Sequence, residues 1–324
     1  MYEAKIIGTG SFVPEQIITN DMLSNIVETT DEWIASRTGI RKRRISTGEN
    51  TSEIASKAAK EALKDAKITP DKVDLIIVAT ITPDSFMPST ACLVQKEIGA
   101  YNATCFDISA ACSGFIYALN TGFQFIRSGQ SKTILIIGAD TNSKILDWSD
   151  RSTCVLFGDG AGAVVLQRST EKGLISFYTG SNGRGDELLS CPGAHMNHPF
   201  MDATKEEQSI MHMNGKEVYR FSTTIVPQSI EMVLNNGAYT NEDIKYYVLH
   251  QANARIMDAV AKKMGIDINK FYKNIQDYGN TTAATIPIAL NEMNQKRIIK
   301  KDDLLVLVGF GGGLTWGSVL LQWK

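Results

Sequence analysis

"TPDKVDLIIVAT" (Thr69–Thr80) and "TNEDIKYYVLHQ" (Thr240–Gln251) lie 171 residues apart and share one pattern, a polar turn running into an unbroken apolar stretch. At the same shift "TILIIGAD" (Thr133–Asp140) falls on "LLVLVGFG" (Leu304–Gly311), and "YALN" (Tyr117–Asn120) on "IALN" (Ile288–Asn291). "AGAVVLQ" (Ala161–Gln167) and "WGSVLLQ" (Trp316–Gln322) also match, with a tighter link in the second half. Three segments on one offset indicate a duplication. Each copy reads as a strand, a helix, a buried strand, a helix and two more strands. "SEIASKAAKEALKDA" (Ser52–Ala66) carries the apolar spacing of an amphipathic helix. Strands that are apolar without alternation are buried on both faces, so helices must cover the sheet above and below. The expected fold is therefore α/β: two pseudo-symmetric halves, 1–170 and 171–324, whose sheets enclose a shared helical layer. That layer holds helices starting near Cys112 and near Ala283. The functional site is expected where the halves meet.

Composition narrows the function. The formal charge of the 324 residues is −2, which supplies no global field for nucleic acid or a membrane surface. Arg41, Lys42, Arg43 and Arg44 form a local basic run, read as a solvated face or an anion contact. Runs such as "LIIVAT" and "LLVLVGF" are too short to cross a bilayer. No charged-then-apolar leader precedes "AKIIGTG", and the five cysteines are odd in number and lack C-x-x-C spacing. Reduced thiols in a cytoplasmic protein are expected, rather than a disulfide framework or a zinc site. His195 and His198 have loose metal-like spacing but no accompanying carboxylate or thiol cluster; with His212 they read as surface residues of a polar insertion.

Four features carry chemistry. Cys112 in "DISAACSGFIYAL" sits among small residues at the start of a helix, where free N–H groups and the helix dipole favour a thiolate. It reads as a nucleophile or as a buried structural cysteine. His250 closes the strand "YYVLH" and opens the next helix, on the edge where ligands collect in α/β sheets. Its counterpart in the first copy is Ala79, so the repeat itself does not require a histidine. Asn280 in "YGNTTAATIPIAL" is a turn or capping residue by itself, but the pseudo-symmetry carries it to the layer that holds Cys112. "GFGGGLTWGS" (Gly309–Ser318) lets backbone N–H groups approach a ligand, as an oxyanion hole requires. A strand follows rather than a helix, which argues against a dinucleotide fingerprint.

Together, "AACSGF", "HQAN", "GNT" and "FGGGLTWGS" in this order and spacing resemble β-ketoacyl-ACP synthase III of the thiolase superfamily, along essentially the whole chain. The resemblance implies a duplicated thiolase-type fold in αβαβα layers and a homodimer. It implies a decarboxylating Claisen condensation of an acyl-CoA primer with malonyl-acyl carrier protein (malonyl-ACP), starting fatty acid synthesis with no metal or redox cofactor. Cys112, His250 and Asn280 would be catalytic, with the Cys112 and Gly312 N–H groups as oxyanion hole. Trp33, Arg37, Arg151, Gly215, Lys216 and Asn253 would hold CoA. Gln251, Arg255, Lys262, Lys263 and Arg220 would meet the acidic carrier protein. Two positions depart from the common pattern. Met87 stands where acetyl-selective relatives often carry an aromatic, at a position expected to reach the partner subunit's acyl pocket, and Lys216 where an uncharged residue is frequent. Primer length and branching therefore stay open. Alternatives are a related condensing acyltransferase of secondary metabolism, or a non-condensing thioesterase or acyl-binding protein.

Overall fold

The computed structural model describes residues 2–194, 199–200 and 209–324. His195 and His198 lie outside the described residues, and His212 is exposed. The 171-residue offset reappears in the elements. Strands Leu75–Ala79 and Tyr246–Leu249 correspond, as do Thr133–Asp140 and Leu304–Gly311, and helices Gly114–Arg127 and Thr285–Gln295 begin one offset apart. The first strands, Glu3–Phe12 and Leu174–Ser181, share the offset too.

Both sheets use one order. In the first, Glu3–Phe12, Gly160–Ser169, Thr133–Asp140 and Leu75–Ala79 are neighbours, with Thr104–Ile108 added at the edge. In the second, Leu174–Ser181, Thr315–Gln322, Leu304–Gly311 and Tyr246–Leu249 repeat the first four. Strand pleating sends successive side chains to opposite faces. Leu75, Ile77 and Ala79 thus meet the central helices, whereas Ile76 and Val78 meet the outer helices Thr51–Ala66 and Thr90–Ile98. In the second sheet Leu305 and Leu307 face inward, and Val306 and Val308 face helices Gly215–Gly237 and Ala254–Met264. The result is five layers, αβαβα, with the two central helices shared.

Small residues let the halves approach. A Cβ on Gly138 would stand 2.3 Å from the Ala283 carbonyl oxygen, and one on its repeat partner Gly309 2.8 Å from Ser113 Cα. Each half therefore receives the helix-start turn of the other against a strand that tolerates no side chain.

Two findings depart from the sequence reading. The first half does not keep to itself: Leu23, Val27, Ile34 and Ile40 pack with Val226, Ile230 and Val260 in the outer core of the second half. The basic run is also not a uniformly solvated face. Lys42–Arg44 is a short strand, and Arg43 is completely buried, donating to the Ile18 and Val155 carbonyls and to Asn20 Oδ1. Burial pulls its pKa down to about 10, yet the guanidinium stays charged at neutral pH and ties this strand, which pairs with Ile17–Thr19, to residue 155. Among the described residues no helix is long and apolar enough to cross a membrane.

Candidate active site

Cys112 occupies a 3-10 turn, Ala111–Ser113, between strand Thr104–Ile108 and helix Gly114–Arg127. The turn is sharp because Ala111 adopts φ 45°, a left-handed conformation that costs a non-glycine residue about 1–2 kcal/mol. Its repeat partner Thr282 does the same, with φ 49°, in the turn Thr282–Ala284. The two strained turns therefore face each other across the pseudo-symmetry axis. Hydroxyls brace the first: Ser113 Oγ lies 2.8 Å from both the Ala110 carbonyl and Thr315 Oγ1, and Thr315 Oγ1 donates to the Gly312 carbonyl at 2.8 Å. The glycine turn is in this way fixed relative to Cys112. Gly311, which the sequence reading did not single out, makes the closest approach, since a Cβ there would lie 2.8 Å from Cys112 Cβ and 3.1 Å from its Sγ.

His250 follows strand Tyr246–Leu249, its backbone N–H donating to the Val308 carbonyl at 2.7 Å. The ring is 2% exposed, meets the Phe310 ring edge-on at 5.2 Å, and places Nδ1 2.8 Å from Thr285 Oγ1. Asn280 is held from both sides of its backbone, to the Leu156 carbonyl and from the Gly158 N–H. Its Oδ1 accepts from the Thr282 N–H at 2.9 Å, which leaves the amide nitrogen as the free end. Cys112, His250, Asn280, Phe310 and Gly311 line one narrow cleft of about 100 Å³. Cys112 also borders a wider cavity of about 750 Å³ that includes Ile81, Phe86, Leu189 and Met211. The nucleophile candidate stands at the junction of the two.

The electrostatics correct one expectation. The helix start does not leave Cys112 with a depressed pKa: burial first, then the nearby Asp140 carboxylate, push the thiol up to about 12. Burial alone holds the His250 imidazole down at about 3. At neutral pH the pair is thiol and neutral imidazole, not an ion pair. Asp140 is a further buried group that sequence reasoning missed. Its Oδ1 accepts from Thr80 Oγ1, Thr82 Oγ1 and the Ile81 N–H, and its Oδ2 from Thr282 Oγ1 and, at 3.4 Å, the Ala283 N–H. The carboxylate pins the strained turn that orients Asn280. The one available signal was an acid closing the buried strand "TILIIGAD".

Residues 106–183 match the family described as 3-Oxoacyl-[acyl-carrier-protein (ACP)] synthase III, and residues 234–323 match its C-terminal part. The beta-ketoacyl-[acyl-carrier-protein] synthase III of Clostridium novyi is 55% identical over 324 residues, covering 100% of both chains. That of Clostridium acetobutylicum is 53% identical, covering 100% of this chain and 99% of the relative. The chain belongs to the β-ketoacyl-ACP synthase III family. It is a condensing acyltransferase with the thiolase fold. The crystal structure of 3-oxoacyl-[acyl-carrier-protein] synthase III from Aquifex aeolicus VF5 superimposes with a TM-score of 0.93 at 45% identity, covering 99% of this chain and 100% of that one.

Around this β-ketoacyl-ACP synthase III cleft the structure gathers some predicted residues and separates others. Gly215 and Asn253 line the narrow cleft. Asn253 Nδ2 donates to the Arg37 carbonyl at 3.0 Å, joining helix Asp31–Thr38 to the cleft rim. Arg37 and Arg151 stand 5.0 and 4.6 Å from the Trp33 ring centroid, and Arg151 also donates to the Glu28 carbonyl. Lys216 is exposed and outside the cleft lining. Arg255, Lys262, Lys263 and Arg220 are exposed, whereas the helix Ala254–Met264 buries Ile256, Met257, Val260 and Ala261. Met264 on the same helix is half-buried. Gln251 is a correction. It is 1% exposed, with its amide spent on the Leu249 and Tyr272 carbonyls and on the Asn274 N–H, so it braces the core beneath His250 and has no surface for a partner. Met87 is 83% exposed and does not line its own chain's wide cavity.

Proposed function

We propose that Cys112, His250 and Asn280 carry out a two-stage condensation of an acyl-CoA primer with malonyl-ACP. The observation that supports it is the convergence of these three side chains, from both halves, on one cleft beside a larger cavity. In the first stage Cys112 Sγ attacks the primer's thioester carbon. The tetrahedral oxyanion takes hydrogen bonds from the Cys112 and Gly312 N–H groups, the bond to the CoA sulfur breaks, and the thiol proton leaves on CoA. In the second stage the bond from the malonyl methylene to its carboxylate breaks, and the electron pair forms a thioester enolate as carbon dioxide departs. His250 and Asn280 donate to the enolate oxygen. The enolate carbon then attacks the acyl-enzyme carbonyl, the bond to Cys112 Sγ breaks as 3-oxoacyl-ACP forms, and the departing thiolate takes up one proton from solvent to restore the thiol. Neutral donors held in a dry cleft are strongest where charge develops, which is at the enolate. The two substrates supply every reacting group, so no further cofactor enters the scheme.

In this reading the narrow cleft admits the pantetheine arm past Gly215 and Asn253, Trp33 and Arg151 receive the adenine, and Arg37 meets the phosphates. Lys216 adds charge at the rim. The protein acts in the cytoplasm as a homodimer, with Met87 entering the partner's wide cavity. Exposed Phe86 and Met87, side by side on one loop, support that contact. Intact mass after exposure to a panel of acyl-CoAs tests the scheme: one acyl adduct on Cys112 is expected, and no adduct, or one elsewhere, overturns it.

Two predictions follow from the periphery. Met87→Phe narrows the primer range toward acetyl, because a stiff ring fills space from which methionine bends aside. A methylene-sized loss of room is worth about 1–3 kcal/mol in discrimination. The kcat/KM ratio of acetyl-CoA to butyryl-CoA measures it, and an unchanged ratio removes Met87 from the pocket. The second concerns the carrier protein. Among the described residues Arg255, Lys262 and Lys263 have no carboxylate within ion-pair range, but Lys263 donates to the Thr223 carbonyl at 3.2 Å. Arg255→Glu with Lys262→Glu is therefore the cleaner reversal. It should raise KM for malonyl-ACP, leave acyl-CoA loading near wild type, and flatten the salt dependence, since exposed charges are screened beyond about 8 Å at physiological ionic strength. An equal defect with malonyl-CoA would instead place the damage at the His250 end of the helix.

A further inference from the structure

The His250 ring has one polar contact among the described residues, the 2.8 Å approach of Nδ1 to Thr285 Oγ1. A neutral imidazole carries one proton, and the bond made by one nitrogen decides whether the other is a donor. The Thr285 hydroxyl has one proton and two acceptors in reach, Nδ1 at 2.8 Å and the Thr282 carbonyl at 3.0 Å. That carbonyl already accepts the Thr285 backbone N–H. Among the described residues Nδ1 has no other donor. If the hydroxyl proton goes to the carbonyl, Nδ1 must carry the ring proton and Nε2 is a bare acceptor, useless to an enolate. If it goes to Nδ1, Nε2 carries the proton and donates.

We propose that Thr285 is a positioning residue that donates its hydroxyl proton to His250 Nδ1 and thereby holds the imidazole as the Nε2–H tautomer that the enolate requires. This rests on the assignment of His250 as an enolate donor. The duplication supports the pairing independently. One offset back, His250 corresponds to Ala79 and Thr285 to Gly114, and these two also adjoin, a Cβ on Gly114 lying 3.1 Å from Ala79 Cβ. The first half thus has the same juxtaposition with neither polar group, and the second half has both. Asp140 belongs to the same device, since it accepts from Thr282 Oγ1 and so fixes the turn from which helix Thr285–Gln295 starts.

The test begins with wild-type protein labelled with 15N-histidine, the His250 resonances being assigned by their loss in His250→Gln. Nitrogen shifts showing Nε2–H and bare Nδ1 are expected; Nδ1–H overturns the proposal whatever the variants do. Thr285→Val, which keeps the shape and removes the hydroxyl, should lower malonyl-ACP decarboxylation about 10–100-fold, the size of loss seen when the hydrogen-bond partner of a metal-bound histidine is removed. Acylation of Cys112 by acyl-CoA should stay within a few fold, and Thr285→Ser should restore decarboxylation. Undiminished decarboxylation in the valine variant, or equal loss in both half-reactions without rescue by serine, overturns the proposal. His250→Ala separates the underlying assignment: if that variant decarboxylates normally, His250 is not the enolate donor, whereas its failure beside an active Thr285→Val sinks the present inference alone.

Discussion

Cys112→Ala should abolish acyl transfer and condensation while malonyl-ACP decarboxylation stays measurable. The substitution removes only Sγ, and the side chain that remains fits the space that Gly311 leaves open, so the fold survives. His250 and Asn280 still line the cleft, and in the proposed scheme they are the donors to an enolate whose formation needs no thiol. Radiolabelled carbon dioxide release reads the decarboxylation, and intact mass reads the acyl group. The sharp control is Cys191, which is exposed and borders the same wide cavity as Cys112. If peptide mapping finds the Cys112→Ala protein still acylated, at Cys191 or any other thiol, the nucleophile has been misassigned. Loss of decarboxylation together with acylation would show that the thiol also holds the malonyl group in place.

Asn280→Ala should lower decarboxylation by about 100–1,000-fold, or about 2.7–4 kcal/mol, the usual cost of removing one oxyanion donor. Self-acylation by acyl-CoA should suffer far less, because in the proposed scheme its oxyanion lies against the Cys112 and Gly312 N–H groups rather than Asn280. Asn280 has a structural task as well, since its Oδ1 accepts from the Thr282 N–H in a strained turn. Asn280→Asp separates the two roles: a carboxylate keeps the acceptor toward Thr282 but replaces the donor with negative charge. It should decarboxylate as poorly as the alanine variant while still loading Cys112 from acyl-CoA, at the cost in stability of one more buried carboxylate beside Asp140. Recovery of decarboxylation in the aspartate variant would mean that Asn280 serves only as a brace. Equal losses in both half-reactions would mean the same.

Much of the layout could be read along the chain because sheet and helix periods are local properties. The unbroken apolar runs at 75–79 and 304–311 gave away burial on both faces, and the 171-residue offset paired the strands, the central helices and their starting turns without any contact information. His250 stood out for a related reason, since it breaks the repeat where the first copy has Ala79; Cys112 stood out by its small neighbours at a helix start, and Asn280 by the layer to which the pseudo-symmetry carries it. Arg43 and Gln251 were misread because a polar residue's burial depends on what packs over it. Arg43 is covered from residues 18, 20 and 155, and Gln251 from 272 and 274, and no local pattern reports either cover.

The sequence by itself determined the duplication, the layered architecture and the family, and it singled out three side chains that the fold brings to one cleft, since periodicity and motif spacing survive projection onto one dimension. Only the tertiary structure decided the protonation states and the braces. Whether a thiol at a helix start is ionised depends on the balance between the dipole and desolvation. Here burial beside Asp140 wins and drives Cys112 up, against the local expectation. Which nitrogen of His250 can donate depends on a hydroxyl 35 residues away in the chain and 2.8 Å away in space. Solvent exclusion and hydrogen-bond partnership are properties of packed neighbours, and those neighbours come from both halves of the chain.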